Sequence, residues 1–564
     1  MAQIPETNTL KPRRHVLTIA LEDYFQGPAF SKIISKRRWS HFESRFENNC
    51  LHVLEQLKKA GSSATFFVNS WVARTRPDLL KQVVKEGHEI ALAGQRGVSF
   101  RKMKPDMLRD HCARDRELLE NACGRRVLGF RVTDVWLKPA DLWALEELAK
   151  DGFAYDSSVI PFLRAFSTEP WRQFIHKNEF AAGSIWEVPL SCQSFGGFML
   201  PFAGGNYFRQ YPEWFTQGLI RDWDSKLTEP LVLYFRLWDF DPNQPRLQVG
   251  SPLTEVRHYR NGERMVRTLS NLFERFKFFG IADQLNLQAS PLSPRAAPAQ
   301  LAEPVARTVG AKVIAKPVSI IVPCFNEQEG IPFLANNLTA LREELKPEFE
   351  AEFILVDDAS SDNTWDLLSR HFANSPAKLL RHEQNKGVSA AIMTGLAESQ
   401  EIACSLDCDC SYDPSEMKPM LALLRDEVDM VTASPYHPNG SVLNVPGWRL
   451  GLSRCSSALY RLVTRSPMHT FTSCFRVYRR SAVVGMTLKN SGFLGVAELM
   501  GRLALDGHRI VEHPATLEVR IFGQSKMKIL RTIFGHFGLL NEMAWSRYRE
   551  RKAEKIPESS GLPV

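Results

Sequence analysis

Short unbroken apolar runs along this chain alternate with longer stretches in which apolar side chains return every three to four residues. The first pattern predicts strands buried on both faces, the second helices with one buried face. From Val318 the chain reads VSIIVPCFNE, then a helical pattern through Leu345, then a second buried run, EFILVDDAS. Helix-period segments at Asn363 to Phe372 and Val388 to Ala397 interleave with strand-like runs at Ala377 to Arg381, Ile402 to Leu406 and Asp429 to Ala433. Such alternation predicts a mostly parallel α/β sheet covered by helices, with ligands beyond the carboxyl ends of its strands. The N-terminal part alternates too, with strands predicted at His15 to Ala20, Ala64 to Val68, Glu89 to Leu92 and Val232 to Phe235. A (β/α) barrel satisfies that pattern, as does an open sheet.

Between Asn286 and Lys316 the sequence is rich in Pro and Ala and loses its apolar periodicity, as a linker does. The 564 residues exceed what one hydrophobic core holds. The expected division is a domain over 1–285, a linker over 286–316, a second domain over 317–528, and an amphipathic basic helix and tail over 529–564.

With 44% hydrophobic and 24% charged residues the composition is that of globular protein. No run approaches the ~18 apolar residues of a membrane span, and the first residues lack an apolar signal core, so the expected location is cytoplasmic. The ten cysteines are scattered rather than framed for disulfides. Cys404, Cys408 and Cys410 cluster, but no second pair at finger-like spacing follows, which favours packing around a strand end over zinc. A net charge of +8 without a dense Lys/Arg run argues against nucleic acid and is compatible with anionic substrates or an anionic membrane surface.

Candidate chemistry collects at the predicted strand ends: Asp357 with Asp358, then Asp407 with Asp409. Carboxylates one residue apart can hold Mg²⁺ or Mn²⁺, and a bound diphosphate completes the shell. An isolated Asp-x-Asp is weak evidence, since acids also cap helices and turns. Here VSIIVPCFNE, ILVDDASSDNT, RHEQNKGVSAA, SLDCDCSYDP, TSCFRVYRRSA and RIFGQSK follow one another in order. In that order and spacing, Pro317 to Lys528 resembles the family 2 glycosyltransferases, most closely the polyprenyl-phosphate sugar transferases of the dolichol-phosphate mannosyltransferase type. The resemblance implies the GT-A nucleotide-diphosphosugar fold.

It also implies roles. Pro323, Asn326 and Glu327 would face the nucleotide, Asp357, beside Asp358, would meet base or ribose, and Asn385 and Gly387 would line the same cleft. Asp407 and Asp409 match the metal and diphosphate motif, with Asp409 the direct ligand. Ser411 stands where these enzymes usually carry Gln, so coordination would be completed differently. Glu498 falls at a family acid that could deprotonate a hydroxyl acceptor, giving inversion by single displacement. A phosphate acceptor needs no base; Glu498 would then orient Arg502, four residues on, or simply pair with it on the helix surface. Arg520, Ser525 and Lys526 match the family's phosphate-contacting Arg-x-x-Gly-x-Ser-Lys.

Val16 to Phe279 resembles the NodB-homology polysaccharide deacetylases through LTIALEDYFQGPAF, ATFFVNSW, GHEIALAG, LGFR, YDSSVIPF, IWEVPLS and LYFRLWDFDPNQPR. The resemblance implies a metal held by one Asp and two His, a carboxylate base and a His acid. This sequence keeps Glu22 and Asp23 but has Ala20 for an expected acid, Ala93 and Gly97 for the metal histidines, and Arg236 for the acid histidine. A guanidinium cannot cycle a proton at neutral pH. A degenerate pocket holding Glu22, Asp23, Arg131 and Arg236 is therefore expected, either structural, with Arg236 paired to Asp23, or binding a saccharide or anion.

The function implied is transfer of a sugar from a nucleotide-diphosphate donor to a polyprenyl-phosphate or polysaccharide acceptor in cell-envelope or exopolysaccharide synthesis, fused to a non-catalytic deacetylase-like domain. A bifunctional deacetylase and transferase lacks its metal ligands, and a non-catalytic saccharide-binding scaffold is opposed by the intact acids. The C-terminal segment carries Ile529, Ile533, Phe537, Leu540 and Ala544 at helical spacing among Lys526, Lys528, Arg531, Arg547, Arg549, Arg551 and Lys552. It either packs on the transferase or lies on the inner face of the cytoplasmic membrane.

Overall fold

The computed structural model describes residues 14–31, 33–94, 103–133, 136–162, 166, 168–195, 198–248, 252–292, 315–445, 447–523 and 529–554. They form two compact units: Met1–Ser35, Ser44–Pro245 and Ser251–Ala306 make the first, and Lys36–Glu43, Arg246–Gly250 and Arg307–Val564 the second. The division is not purely sequential, because two short segments from the N-terminal half cluster with the second unit.

In the first unit the strands are β1 (His15–Leu21), β2 (Thr65–Val68), β3 (Glu89–Ala93), β4 (Gly129–Arg131), β5 (Tyr155–Asp156), β6 (His176–Phe180), β7 (Gly183–Glu187), β8 (Cys192–Phe195), β9 (Phe198–Pro201), β10 (Val232–Arg236) and β11 (Phe278–Phe279). The main sheet runs β10-β1-β2-β3-β4-β5-β7-β6, with β11 also on β1 and β8 and β9 forming a separate hairpin. Every pairing in the main sheet is parallel except β6 with β7. Successive side chains on β1 part to opposite faces: Leu17, Ile19 and Leu21 join the core under the helices, while Val16 and Ala20 join an inner cluster with Phe67, Ala91, Ala93 and Tyr234. Burial on both faces explains the unbroken apolar runs. The sheet is a curled (β/α) half-barrel, and the registers of Ala20 with Arg236 and Ala93 with Arg131 bring its carboxyl ends to one rim.

The second unit is built on β12 (Lys316–Cys324), β13 (Phe349–Asp357), β14 (Ala377–Arg381), β15 (Ile402–Ser405), β16 (Met430–Ser434), β17 (Ser441–Leu443), β18 (Arg476–Arg479), β19 (Ile510–Pro514) and β20 (Thr516–Glu518). Its sheet runs β14-β13-β12-β15-β18-β16-β19, and β17 with β20 form a small separate pair. The sheet is mostly parallel, as expected, with β18 the exception, antiparallel to both neighbours. That strand is short and reads Arg-Val-Tyr-Arg, so it carries no apolar run to announce it. Strand order reverses about β12, with β13 on one side and β15 on the other, which opens a crevice at their carboxyl ends.

The C-terminal helix, Ile529–Glu554, corrects the expected stripe. Leu539, Leu540 and Met543 are buried in the core shared with helices Gly447–Thr464 and Phe493–Leu505, whereas Phe537 and Ala544 are exposed. The side chains of Ile529 and Ile533, and residues Lys526 and Lys528, lie outside the described set.

Candidate active site

Cys324 at the end of β12 is in register with Asp357 at the end of β13, and Ile321 with Ser405 at the end of β15. The loops leaving these ends enclose a cavity of about 630 Å³ whose walls include Pro323, Glu327, Asp358, Asn385, Gly387, Asp407, Asp409 and Arg520. Burial, followed by the charge of Asp409, raises the Asp407 carboxyl to about 7, against a hydrogen bond from Cys474 and the charge of Arg520. Asp409 has one oxygen committed: Oδ1 accepts from Ser411 N at 2.9 Å and Ser411 Oγ at 2.6 Å. Its Oδ2 lies 3.7 Å from Arg520 Nε. Ser411 thus orients the carboxylate beside it.

Asp358 organises the opposite wall, accepting from Lys386 N at 2.8 Å, Gly387 N at 2.7 Å and His382 Nδ1 at 2.7 Å. Asn385 Nδ2 donates to the Asp358 carbonyl at 3.3 Å. Gly387 has φ +99°, and a Cβ there would sit 2.6 Å from the Ser491 carbonyl and 2.8 Å from Gly492 Cα. Only glycine lets that loop approach so closely. Asp357 and Asn326 stand behind the wall. The buried Asp357 pairs with Arg381 at 3.1 Å and accepts from Ser360 N at 3.2 Å. Asn326, at φ +52°, receives Ser361 N at 2.7 Å and donates its own N to Ser360 Oγ at 2.9 Å. Glu327 is bound to Arg520 and donates its N to Thr364 Oγ1 at 2.7 Å.

Glu498 stands apart from the expected base. It is buried on helix Phe493–Leu505 and is not among the cavity-lining residues. Its carboxylate accepts from Lys489 N at 2.9 Å, Asn490 N at 2.9 Å and Asn490 Nδ2 at 2.8 Å, and Arg502 pairs with it at 2.5 Å. Burial alone would raise its pKa, but those bonds and the Arg502 charge outweigh it and hold the carboxyl below its ordinary value. Arg502 also donates to the Thr487 carbonyl at 3.0 Å, so both residues tie down the 487–490 loop. Ser525 and Lys526 lie outside the described residues.

At the rim of the half-barrel, Asp23 acts as a cap. It accepts from Tyr24 N at 3.0 Å, Ser44 Oγ at 3.0 Å, Arg45 N at 2.9 Å and Phe46 N at 3.4 Å, and burial raises its carboxyl to about 6 despite them. Arg236 pairs with Glu22 at 3.2 Å, not with Asp23 as expected, because the Asp23 carboxylate is already committed to this turn. Arg131 is buried, donating to Ser157 O at 2.8 Å, Ser157 Oγ at 2.6 Å and Thr18 Oγ1 at 2.9 Å, with its guanidinium 4.0 Å from the Phe67 ring centroid. Of the four residues expected in one pocket, Arg236 alone lines the cavity of about 420 Å³ beside the carboxyl end of β10.

Residues 319–485 match the family model described as glycosyl transferase family 2, residues 35–134 that of polysaccharide deacetylase, and residues 157–286 that of a domain of unknown function, DUF3473. The C-terminal unit is a family 2 glycosyltransferase domain. It is fused to a polysaccharide deacetylase domain. Dolichol-phosphate mannosyltransferase of Pyrococcus furiosus is 28% identical over 222 residues, 38% of this chain and 60% of that protein. Undecaprenyl-phosphate 4-deoxy-4-formamido-L-arabinose transferase of Yersinia enterocolitica is 31% identical over 224 residues, 39% of this chain and 64% of that protein. The chain thus spans under two thirds of the length of each. A solved putative polysaccharide deacetylase from Mycobacterium smegmatis is similar at 17% identity, covering 51% of this chain and 99% of that one with a TM-score of 0.30.

Two residues of the glycosyltransferase domain escaped sequence reasoning. Arg38, in the Lys36–Glu43 segment that belongs to this unit, pairs with Glu518 and donates to the Cys410 carbonyl at 3.0 Å, bracing the loop after Asp409. Nothing local in sequence marks it. Arg476 is fully buried and donates to the Val496 and Phe471 carbonyls, each at 2.9 Å, anchoring the helix that carries Glu498. The arginine of TSCFRVYRR was legible as part of a motif but not as an anchor. Cys404, Cys408 and Cys410 are buried. Burial pushes the Cys404 and Cys410 thiols up, and a hydrogen bond with Cys324 together with burial does the same for Cys408. In the deacetylase domain, Ala93 ends β3 without a ligand atom, the Asp156 and Glu187 carboxyls are hydrogen-bonded to each other in the interior, and Gly97 lies outside the described residues.

Proposed function

We propose that the chain is an inverting glycosyltransferase that moves a sugar from a nucleotide-diphosphate donor to a polyprenyl-phosphate acceptor, with a saccharide acceptor as the broader class. The observation that carries this is the meeting of Asp407, Asp409 and Arg520 in one cavity with the Asp358-held Asn385–Gly387 loop. Among the described residues no third His, Cys, Asp or Glu joins the two aspartates as a cation-binding group. An Asp407 carboxyl raised by burial and by the Asp409 charge beside it fits Mg²⁺ or Mn²⁺ with the donor's own diphosphate completing the ligand set. The cation would supply charge to offset what builds on the departing diphosphate. Arg520 adds a fixed guanidinium on the same side, and Glu327 holds it there.

The committed state of Glu498 favours phosphate over hydroxyl as acceptor. A phosphate oxygen is already anionic at neutral pH and attacks without a base, so Glu498 positions the 487–490 loop instead. Both relatives are named for polyprenyl-phosphate-type acceptors, and they differ in the sugar moved. No helix among the described residues is long and apolar enough to cross a membrane. On the proposed reading, access to a lipid-linked acceptor comes from the C-terminal helix, whose Phe534, Phe537, Trp545 and Tyr548 are all exposed. Spacings of three, eight and three residues put these aromatics on one face, away from Leu539, Leu540 and Met543, in the manner of an in-plane cytoplasmic-face anchor.

The test of the transferase is nucleotide release from donor sugars with Mg²⁺ or Mn²⁺, in the full chain and in Asp409→Ala. Loss of at least ~10²-fold in the variant with an unchanged melting temperature is expected. Full activity there would overturn the assignment. The deacetylase domain is proposed to be non-catalytic, since neither Ala20 nor Ala93 offers a ligand atom and Arg236 replaces the acid histidine. Metal-dependent acetate release from an N-acetylated oligosaccharide, lost in Asp23→Ala, would refute that part.

A further inference from the structure

Two stretches of the N-terminal half, Lys36–Glu43 and Arg246–Gly250, belong to the transferase unit. Between them they touch both loops that carry Asp409 and Arg520. Cys410, next to Asp409, bears a side chain yet sits in the left-handed region at φ +49°. An L residue holds that conformation only where its surroundings fix it. Cys410 N donates to the Asp407 carbonyl at 3.0 Å, closing the turn, and its own carbonyl accepts from Arg38 Nη2 at 3.0 Å. The other arm of the same guanidinium, Nη1, donates to Glu518. Arg38 is buried, 5.1 Å from the Phe333 ring centroid, so its charge needs that carboxylate and its planar fork is held in one orientation.

Glu518 stands two residues before Arg520. Its N donates to the Ser411 carbonyl at 2.9 Å, and Tyr412 bridges Leu517, so the loop after Asp409 and the strand before Arg520 are stitched together where Arg38 joins them. The far side of Arg520 has its own clasp. Phe42 meets Phe522 at 5.9 Å and Phe333 at 4.7 Å between ring centroids, and Arg520 Nε donates to the Phe522 carbonyl at 2.6 Å. From the second stretch, Gln248 N donates to the Ile521 carbonyl at 2.8 Å. Helix Ile331–Leu345 seats the first stretch, with Asn336 Nδ2 donating to the His41 carbonyl at 3.0 Å. Neither Arg38 nor Phe42 is among the residues lining the donor cavity, so each can act only through the residues it holds.

We propose that the N-terminal half of the chain completes the transferase's donor site, with Arg38 and Phe42 as positioning residues that hold Asp409 and Arg520 where a metal-bound diphosphate needs them. The inference rests on the transferase reading, and it gives the N-terminal half a part in transfer that requires no deacetylase chemistry. A transferase cut out at the 286–316 linker would lack both stretches. The test uses the full chain with UDP-glucose and GDP-mannose, reading nucleotide release against Mn²⁺ and donor concentration. Partners one step behind a metal ligand are worth roughly 10- to 100-fold, so Arg38→Gln should raise both the half-maximal Mn²⁺ concentration and the donor KM by ~10-fold. The sign separates bracing from charge, because losing a nearby positive charge alone would lower the Mn²⁺ requirement. Arg38→Lys keeps a charge for Glu518, but one ammonium cannot span both partners, so it should shift the same way by a smaller factor. Phe42→Leu alters no charge and should raise the donor KM several-fold with kcat within ~3-fold of wild type. These two conservative variants decide the matter if Arg38→Gln folds poorly, and Arg37→Gln, at the exposed neighbour, should change nothing. In an active wild type, unchanged constants in the Arg38 and Phe42 variants, a lower Mn²⁺ requirement in Arg38→Gln, or full rescue by Arg38→Lys would each overturn this proposal and leave the transferase reading standing. A wild type that neither binds UDP or GDP with Mn²⁺ nor releases nucleotide from either sugar would remove both together.

Discussion

Arg520 Nε lies 3.7 Å from Asp409 Oδ2, so the carboxylate proposed to face the donor's diphosphate already has a cation beside it. Burial alone would lower the guanidinium's pKa, but Asp409 and Glu327 outweigh it and raise it, so the charge is permanent. Arg520→Gln should lower turnover by about 10²-fold, the cost of one preorganised charge at a reacting diphosphate. It should also lower the concentration of Mn²⁺ needed for half-maximal activity, because Asp407 and Asp409 lose a competing positive charge. A metal titration of wild type and variant checks both; a higher Mn²⁺ requirement would contradict this placement of Arg520.

Glu498→Gln separates positioning from base catalysis. The glutamine keeps one acceptor oxygen where the carboxylate uses two and loses the Arg502 pair, so stability should fall by about 1–3 kcal/mol. Turnover should fall less than ~10-fold, with the acid limb of the pH profile unmoved. A loss above ~10²-fold at wild-type stability would restore Glu498 as the base.

The two sides of the C-terminal helix predict opposite phenotypes. Replacing Phe537 and Trp545, 57% and 56% exposed, with Ser should reduce co-sedimentation with anionic vesicles and leave the melting temperature alone. Leu540→Ser, at a buried position, should instead cost about 2–4 kcal/mol of stability. Unchanged vesicle binding in the double variant, across low and high salt, would remove the membrane role.

His258 makes stability depend on pH. Its folded pKa is depressed to about 3 from an ordinary 6.5, so its contribution is fully present above 6.5 and is lost as pH falls toward 3. Between pH 6.5 and 5 that amounts to about 2 kcal/mol at most. Asp23, raised to about 6, works in the opposite sense, and its effect is common to both proteins compared. Urea unfolding of wild type and His258→Phe at pH 7 and pH 5 should show a smaller acid-induced loss in the variant. Equal losses would mean that the imidazole is not held neutral.

The sequence by itself determined the elements and the families. β14 and helix Val388–Ala397 lie where periodicity predicts them, and β1, β2, β3 and β10 differ by a residue at their ends. Strand and helix periods are local properties of consecutive side chains, so they survive without knowledge of the fold. The acids at the ends of β13 and β15 were legible for the same reason. What only the tertiary structure decided is how each polar group is spent. Asp23 and Asp358 look like site acids in sequence, and both are consumed by backbone amides of a neighbouring loop. Glu498 reads as a base until its four donors are seen, and Arg236 finds Glu22 in place of Asp23. Arg38 reaches Cys410 across 372 positions of chain, a pairing that no local pattern encodes. A carboxylate's chemistry is set by which donors and charges surround it in space, and folding brings those from distant segments whose spacing in sequence carries no period.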